Sequence, residues 1–370
     1  MMETKQNKHL VLVYVQNPWY YPHIERHWRA LSKKYVQITV LACFSEAPQQ
    51  SLSEVNFVSM GELPQGIIGF LKFMLKVWRW LLWHKWDICQ ATDPPCLFPA
   101  ALVSKIKFRP LVYFSMELFQ HTPALTNKKL KRKIWYKLEK FGVKNSSKVV
   151  TVNQSVADRL QAKFKLNTVN VVRSIPEVQK EQKAPVNLRS RFTLAEDDFI
   201  LIYQGALEPG RGIEFCCDAL KQRSKVHFII LGLGELESWV QERAEKQSNV
   251  HYAGAFDFVE LMRWATGAQA GLVWIEPIAE SYRLSLPGKL FEYMHNLTPV
   301  LASPLPEISR IVQEYQVGIV AKDLKKEGFL QALDALVAKK DNFGEDLLRA
   351  QKELSWEQEQ KKLLEVYHGF

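Results

Sequence analysis

Residues 286–300 read LPGKLFEYMHNLTPV, and the back half of the chain can be read outward from that string. Leu286, Pro287 and Gly288 close an irregular loop, and a short helix starts there, with proline near a first turn where its missing N–H does no harm. Leu290, Phe291 and Met294 give the helix an apolar face, and Pro299-Val300-Leu301 reads as the next buried strand. Such a turn aims free backbone N–H groups and the positive end of the helix dipole at one spot, where an anion binds. Lys289 adds a full charge in the first turn, and Glu292 lies on the same side of the helix. A carboxylate suits sugar hydroxyls better than phosphate. The set therefore fits a nucleoside diphosphate, with cation and amides for the phosphates and a carboxylate for the ribose.

Working outward, residues 199–203, 226–231, 250–252, 270–275, 299–302 and 318–320 are strand-like runs separated by helical patterns, which predicts a doubly wound parallel sheet. The first run leads into YQGALEPGRGIEFCCDAL. There Gly205, Gly210 and Gly212 permit a tight loop and close approach of a ligand to the backbone. Arg211 brings a fork-shaped cation to the start of the next helix. Gly234 in LGLGE and Tyr252 in NVHYAGA stand at the following strand ends, where a plain turn is an equally good reading.

The front half alternates in the same way. Runs at 10–15, 36–42, 87–91, 110–114 and 148–152 predict a second parallel sheet, with function collected in the loops 16–23, 91–96 and 115–121. No Gly-x-Gly-x-x-Gly follows the first run, which argues against a nicotinamide dehydrogenase. Asp93 and Glu117 occupy two of these loops. Each is either a turn or helix-start carboxylate or a substrate contact, and His23 is a loop histidine on the same side. Asn153 or Ser155 caps the helix after the last run.

At 370 residues the chain is long enough for two domains, and 47% hydrophobic with 24% charged residues is an ordinary globular balance. Five cysteines without a C-x-x-C pair, and no secretory signal, predict reduced thiols in a cytoplasmic protein. The net charge of +10 is uneven: residues 1–185 hold 28 Lys and Arg against 12 Asp and Glu, and the remainder holds 21 against 27. Such asymmetry points the first half at an anionic surface. No zinc-finger or RNA-binding motif is present, so no nucleic acid is expected and an anionic membrane is favoured. Residues 66–86, GIIGFLKFMLKVWRWLLWHKW, place Lys72, Lys76 and Arg79 on a narrow helical face, with Phe70, Met74, Val77, Leu81 and Leu82 on the wide opposite side. That suits a helix lying in the membrane interface, and equally a domain helix with a basic solvent face. Lys131, Arg132 and Lys133 begin a second basic helix. Residues 177–195 are polar and aperiodic, which predicts a linker between domains at 1–176 and 196–354.

The run P-G-K-L-F-E-Y-M followed by T-P-V, together with the loop around Arg211, resembles the retaining nucleotide-sugar glycosyltransferases of the GT-B fold, in family 4. The resemblance implies an α/β chain with two Rossmann-like domains facing a cleft. The first would bind the acceptor, the second the donor, and the last helix, 355–370, would cross back onto the first. It also implies sugar transfer with retention from a UDP- or GDP-sugar to a glycan or lipid-linked acceptor, without a metal cofactor, at the cytoplasmic face of a membrane. Arg211, Lys289, Glu292 and Glu117 would be the catalytic groups. The donor would lie against Gly205, Gly210, Gly212, Gly234, Tyr252, Ser281, Tyr282 and residues 286–288, with Asp93 and His23 on the acceptor side. Three positions depart from the family pattern: Met116 for a histidine, Ala206 for a cation and Leu284 for the first of two spaced glutamates. Rival readings are a non-catalytic membrane subunit and a sugar-nucleotide epimerase of the same fold.

Overall fold

The computed structural model describes residues 5–19, 21–45, 55–177, 184–339 and 342–370. The chain forms two compact units, one of Met1–Ser174 with Glu357–Phe370 and the other of Ile175–Trp356.

The first unit carries β1 (Gln6–Val13), β2 (Tyr35–Ala42), β3 (Val55–Ser59), β4 (Ile88–Thr92), β5 (Leu111–Ser115), β6 (Lys148–Thr151) and β7 (Asn170–Val171). All pair in parallel, in the order β3-β2-β1-β4-β5-β6-β7. Helices α1 (Pro22–Ser32), α2 (Gly66–Trp83), α3 (Asp93–Lys107), α4 (Lys129–Lys144) and α5 (Gln154–Phe164) connect them. The central strands are buried along their length, as covering both faces of a parallel sheet requires, and so read as near-continuous apolar runs. Strands β3 and β7 escaped the sequence reading: β3 lies at one edge with only Val55 buried, and β7 is only two residues long. Asn153 is the cap of α5, its Oδ1 accepting from Val156 N–H at 2.9 Å.

The α2 helix buries Val77 and Leu81 of its expected apolar side, with Phe73 in place of Phe70 and Met74. Phe73, Val77 and Leu81, four residues apart, are its buried residues, and α2 packs on α3. Ile67, Ile68, Leu71 and Leu75 are exposed instead. The helix is apolar on more than one side, so the charged positions alone did not determine which apolar row faces the sheet. It ends at Trp83, and Trp86 is buried beyond it.

The second unit repeats the plan with β8 (Phe199–Gln204), β9 (Val226–Leu231), β10 (Val250–Gly254), β11 (Ala270–Val273), β12 (Val300–Ala302) and β13 (Gly318–Val320). These are parallel in the order β10-β9-β8-β11-β12-β13, the doubly wound arrangement of a dinucleotide-binding sheet. Around them lie α6 (Leu188–Phe192), α7 (Ile213–Ala219), α8 (Glu237–Lys246), α9 (Phe258–Thr266), α10 (Glu280–Arg283), α11 (Gly288–His295), α12 (Pro306–Tyr315), α13 (Lys326–Lys339) and α14 (Gly344–Glu353).

Of the expected linker, residues 178–183 lie outside the described residues. From residue 184 onward the stretch is packed rather than free. Arg263 Nε donates to the Ala184 carbonyl at 2.8 Å, Val186 N–H donates to the Arg263 carbonyl at 3.1 Å, and Leu188 is buried in the core. Val186, Leu188 and Phe192 are too sparse among charged neighbours to show a period. The last helix, α15 (Trp356–Val366), is held to the first unit by Glu359, whose Oε2 accepts from Arg173 N–H at 2.8 Å, and by the Tyr367 hydroxyl donating to Gln90.

Candidate active site

In the second sheet the strand order reverses between β8 and β11, and the loops leaving the C-terminal ends of such neighbours bound a ligand crevice. The β8 loop contains Gly205 (φ +129°), Gly210 (φ +80°) and Gly212 (φ +74°), all in the left-handed region that side chains avoid. All three also have steric work to do, Gly210 against Ile278 and Tyr282. A Cβ on Gly205 would lie 3.3 Å from the Lys289 Nζ, so the loop backbone rests against that ammonium. A Cβ on Gly212 would lie 2.3 Å from Trp274 Cδ1, so only hydrogen lets α7 start over that indole. Leu207 ties this loop to the β9 loop: its N–H donates to Leu233 at 2.9 Å, and its carbonyl accepts from Leu236 at 2.9 Å. Gly234 (φ +156°) packs on the same Leu207 backbone.

Two cations meet here. The Arg211 guanidinium stacks 4.7 Å from the Tyr282 ring centre and reaches Glu208 at 3.4 Å, while its buried Nε has no hydrogen-bond partner among the described residues. Lys289, in the first turn of α11, holds its ammonium 3.5 Å from the Tyr203 ring centre. Among the described residues Lys289 makes no hydrogen bond and no ion pair. Burial pushes its pKa well below the usual lysine range, and Arg211 pushes the same way; Glu292 and Glu208 only partly oppose them. The N–H groups of Gly288 and Lys289, ahead of the bond from Leu290 N–H to the Pro287 carbonyl, have no intrahelical acceptor. An anion with several oxygens can satisfy all of these groups at once.

Glu292 is one turn along α11 and accepts from Gln204 Nε2 at 2.6 Å. Tyr293, beside it, is buried and fixes the helix to the strand. Its hydroxyl accepts from Gln204 N–H at 3.0 Å and donates to the Ile202 carbonyl at 3.1 Å. The expected group thus assembles in one place: Gly205, Gly210, Gly212, Arg211, Tyr282, Lys289 and Glu292, with residues 286–288 leading into α11. Gly288 is the first residue of α11 and Pro287 its cap.

Other expected residues have different placements. The Tyr252 hydroxyl lies 3.0 Å from the Gly232 carbonyl and 2.9 Å from Glu237 Oε1, so it is already engaged in holding the β9 loop. Ser281 is buried with an unpartnered hydroxyl, and the Tyr282 ring lies under Arg211 and against Gly210. Leu284 is buried.

In the first unit, Asp93, Glu117 and His23 fall at the C-terminal side of the sheet, after β4, after β5 and at the start of α1. Asp93 opens α3 in a left-handed conformation (φ +60°) and accepts from Met116 N–H at 3.0 Å. Burial, then Glu117, raise its carboxyl pKa to about 8. His23 lies on α1, with its Nε2 buried and unpartnered; burial and Arg26 lower it to about 3, so the ring is neutral. Glu117 is half-buried.

Two family models match this chain. Residues 23–174 match the one described as Glycosyltransferase Family 4, and residues 198–339 match Glycosyl transferases group 1. The chain belongs to the GT-B glycosyltransferases.

Solved structures agree with this glycosyltransferase in fold. The sucrose-phosphate synthase from Thermosynechococcus elongatus is 14% identical, with a TM-score of 0.80 over 98% of each chain. Anabaena HepE, in complex with UDP-glucose, is 15% identical, with a TM-score of 0.74 over 98% of this chain and 100% of its own. The Escherichia coli trehalose-6-phosphate structure bound with UDP-2-fluoro glucose is 12% identical, with a TM-score of 0.76 over 98% and 99%. No curated protein sequence matches the chain.

Sequence reasoning passed over three residues of this candidate site: Tyr203, Gln204 and Glu208. Gln204 did leave a signal, as a lone amide closing the otherwise apolar strand FILIYQ. Of the basic surface residues, Lys72, Lys76, Arg79, Lys131 and Lys133 are exposed; Lys76 also donates to the Met60 carbonyl at 3.0 Å, and the half-buried Arg132 reaches His121 Nδ1 at 3.5 Å. Among the described residues no helix is long and apolar enough to cross a membrane.

Proposed function

We propose that this glycosyltransferase moves a sugar from a UDP- or GDP-sugar to a hydroxyl of a glycan or lipid-linked acceptor, with retention of configuration. The observation that carries the reading is the Lys289 ammonium, held against Gly205 beside Arg211 and, among the described residues, in no ion pair. A diphosphate supplies the anion. As the anomeric C–O bond breaks, charge collects on the departing diphosphate, and Arg211, Lys289 and the first amides of α11 neutralise it. The acceptor oxygen bonds to the anomeric carbon, and its proton passes to a phosphate oxygen. Glu292 accepts from the ribose. Retention is carried over from the family resemblance of residues 287–294. These cations take the place a divalent metal would otherwise fill, so activity persists in EDTA. Glu117 acts with these catalytic groups, and Asp93 and His23 serve the acceptor side. Incubating the purified chain with UDP-glucose and GDP-mannose, and following free nucleotide and the anomer of the product by NMR, tests this. Release of nucleotide with an axial anomer supports the reading, and inversion removes retention. No turnover of any nucleotide sugar, with or without added glycolipid, favours the non-catalytic alternative.

Exposed side chains of the first unit support an acceptor at a membrane surface. Ile67, Ile68, Leu71 and Leu75 are exposed on α2 alongside Lys72 and Arg79, and Leu130 and Ile134 are exposed on α4 alongside Lys131 and Lys133. The Phe70 and Trp135 rings, 5.7 Å apart, join the two helices. Apolar side chains interleaved with cations fit an anionic lipid interface. Flotation with phosphatidylglycerol vesicles, and its loss at high salt or on changing Lys72, Arg79, Lys131 and Lys133 to Glu, is the expected result. Equal flotation of that variant contradicts it.

A further inference from the structure

Gln204 ends β8 with 1% of its surface exposed, and the next residue, Gly205, lies against the Lys289 ammonium. Its amide orientation is fixed by chemistry. The atom 2.6 Å from Glu292 Oε2 faces a carboxylate, which in its charged form only accepts, so that atom is the NH2 nitrogen. The carbonyl oxygen Oε1 therefore points away from Glu292, and it is buried without a hydrogen-bond partner among the described residues. A buried acceptor left without a donor carries a standing cost that the protein's own groups do not offset. The backbone of Gln204 is meanwhile pinned by the Tyr293 hydroxyl at 3.0 Å, so the side chain starts from a fixed point.

We infer that Gln204 is a positioning and specificity residue for the nucleotide: its amide nitrogen locks the Glu292 carboxylate, and its carbonyl oxygen accepts from one hydroxyl of the ribose. The inference rests on the nucleotide-site reading above. A ribose presents two neighbouring hydroxyls, each able to donate once, and Gln204 with Glu292 presents two neighbouring acceptors. Phosphates at working pH offer no such pair of donors. A nucleotide lacking the hydroxyl that meets Oε1 leaves that oxygen unanswered, and loss of a hydrogen bond to a buried polar group is what a site of this kind discriminates against.

The test is calorimetric titration of UDP, 2′-deoxy-UDP and 3′-deoxy-UDP, with the guanosine series in parallel, into the wild-type chain and Gln204→Met. The wild type is expected to bind the ribonucleotide about tenfold more tightly than at least one deoxy analogue. Gln204→Met should lose that ratio, binding the ribonucleotide about tenfold more weakly and that analogue unchanged. A role confined to packing would weaken all three nucleotides alike, and an unchanged ratio would likewise overturn the inference. Should the variant fail to fold, the wild-type ratio alone decides: equal affinity for ribose and both deoxyribose forms refutes the diol reading. If the wild type binds neither UDP nor GDP, the nucleotide-site reading itself has failed.

Discussion

Lys289 is the residue where stability and function pull in opposite directions. Its burial without an anion lowers its pKa in the free protein, so the native state binds a proton less readily than the unfolded chain does. At pH 7 the unfolded lysine is charged, and holding it in the fold costs stability until an anion arrives. Lys289→Met should therefore raise the melting temperature of the ligand-free protein by about 2–4 °C, while cutting turnover by about a hundredfold. A lower melting temperature with full turnover would contradict both parts. Arg211 is stacked on Tyr282 and bridged to Glu208, so Arg211→Ala should cost a similar factor in turnover without the gain in stability. Lys289, Arg211 and Glu292 were legible in the sequence because their charges sit beside turn and helix-start signals. Gln204 was not, because its importance lies in a contact to Glu292 made across 88 residues of chain.

Elements were read well where apolar periodicity was strong and poorly where an element is short or apolar on several sides. The strands of both sheets fell close to their expected positions, apart from the edge strands β3 and β7. The existence of α2 was legible. Its buried row was not, since periodicity alone could not rank Phe70 and Met74 against Phe73 when all three are apolar. Local backbone strain was also hidden. Phe108 follows α3 in the left-handed region (φ +53°) with 93% of its surface exposed, and Arg109 N–H donates back to the Ser104 carbonyl at 3.0 Å. That is the helix-ending position where glycine is preferred. Phe108→Gly should stabilise the protein by about 1 kcal/mol in urea unfolding, because glycine adopts this conformation without strain. A destabilised variant would show that the aromatic ring contributes packing its exposure does not reveal.

Across the whole molecule, the doubled alternation of strands and helices was legible, as was the concentration of positive charge in the first half. How buried histidines distribute through both units was not. His27 in the first unit and His251 in the second are held neutral by burial, His27 far below the usual range and His251 at about 4; His23 adds its push to His27, and His227 to His251. His227 lies 2.9 Å from His251, nitrogen to nitrogen, so one of the pair must stay unprotonated. Because folded values lie below the unfolded value of about 6.5, the unfolded chain binds more protons as pH falls. Stability is therefore expected to be full above about pH 7 and to decline from pH 6.5 toward 4, and His251→Gln should make that decline shallower. A melting temperature flat across this window would contradict the assignment. The most direct measurement for the molecule as an enzyme is calorimetric titration of UDP and GDP into the wild type, Arg211→Ala and Lys289→Met. Saturable binding of at least one nucleotide by the wild type, weakened about tenfold or more in each variant, is the predicted result. Binding of equal strength in all three proteins, or of neither nucleotide by any, would contradict a diphosphate site built on Arg211 and Lys289.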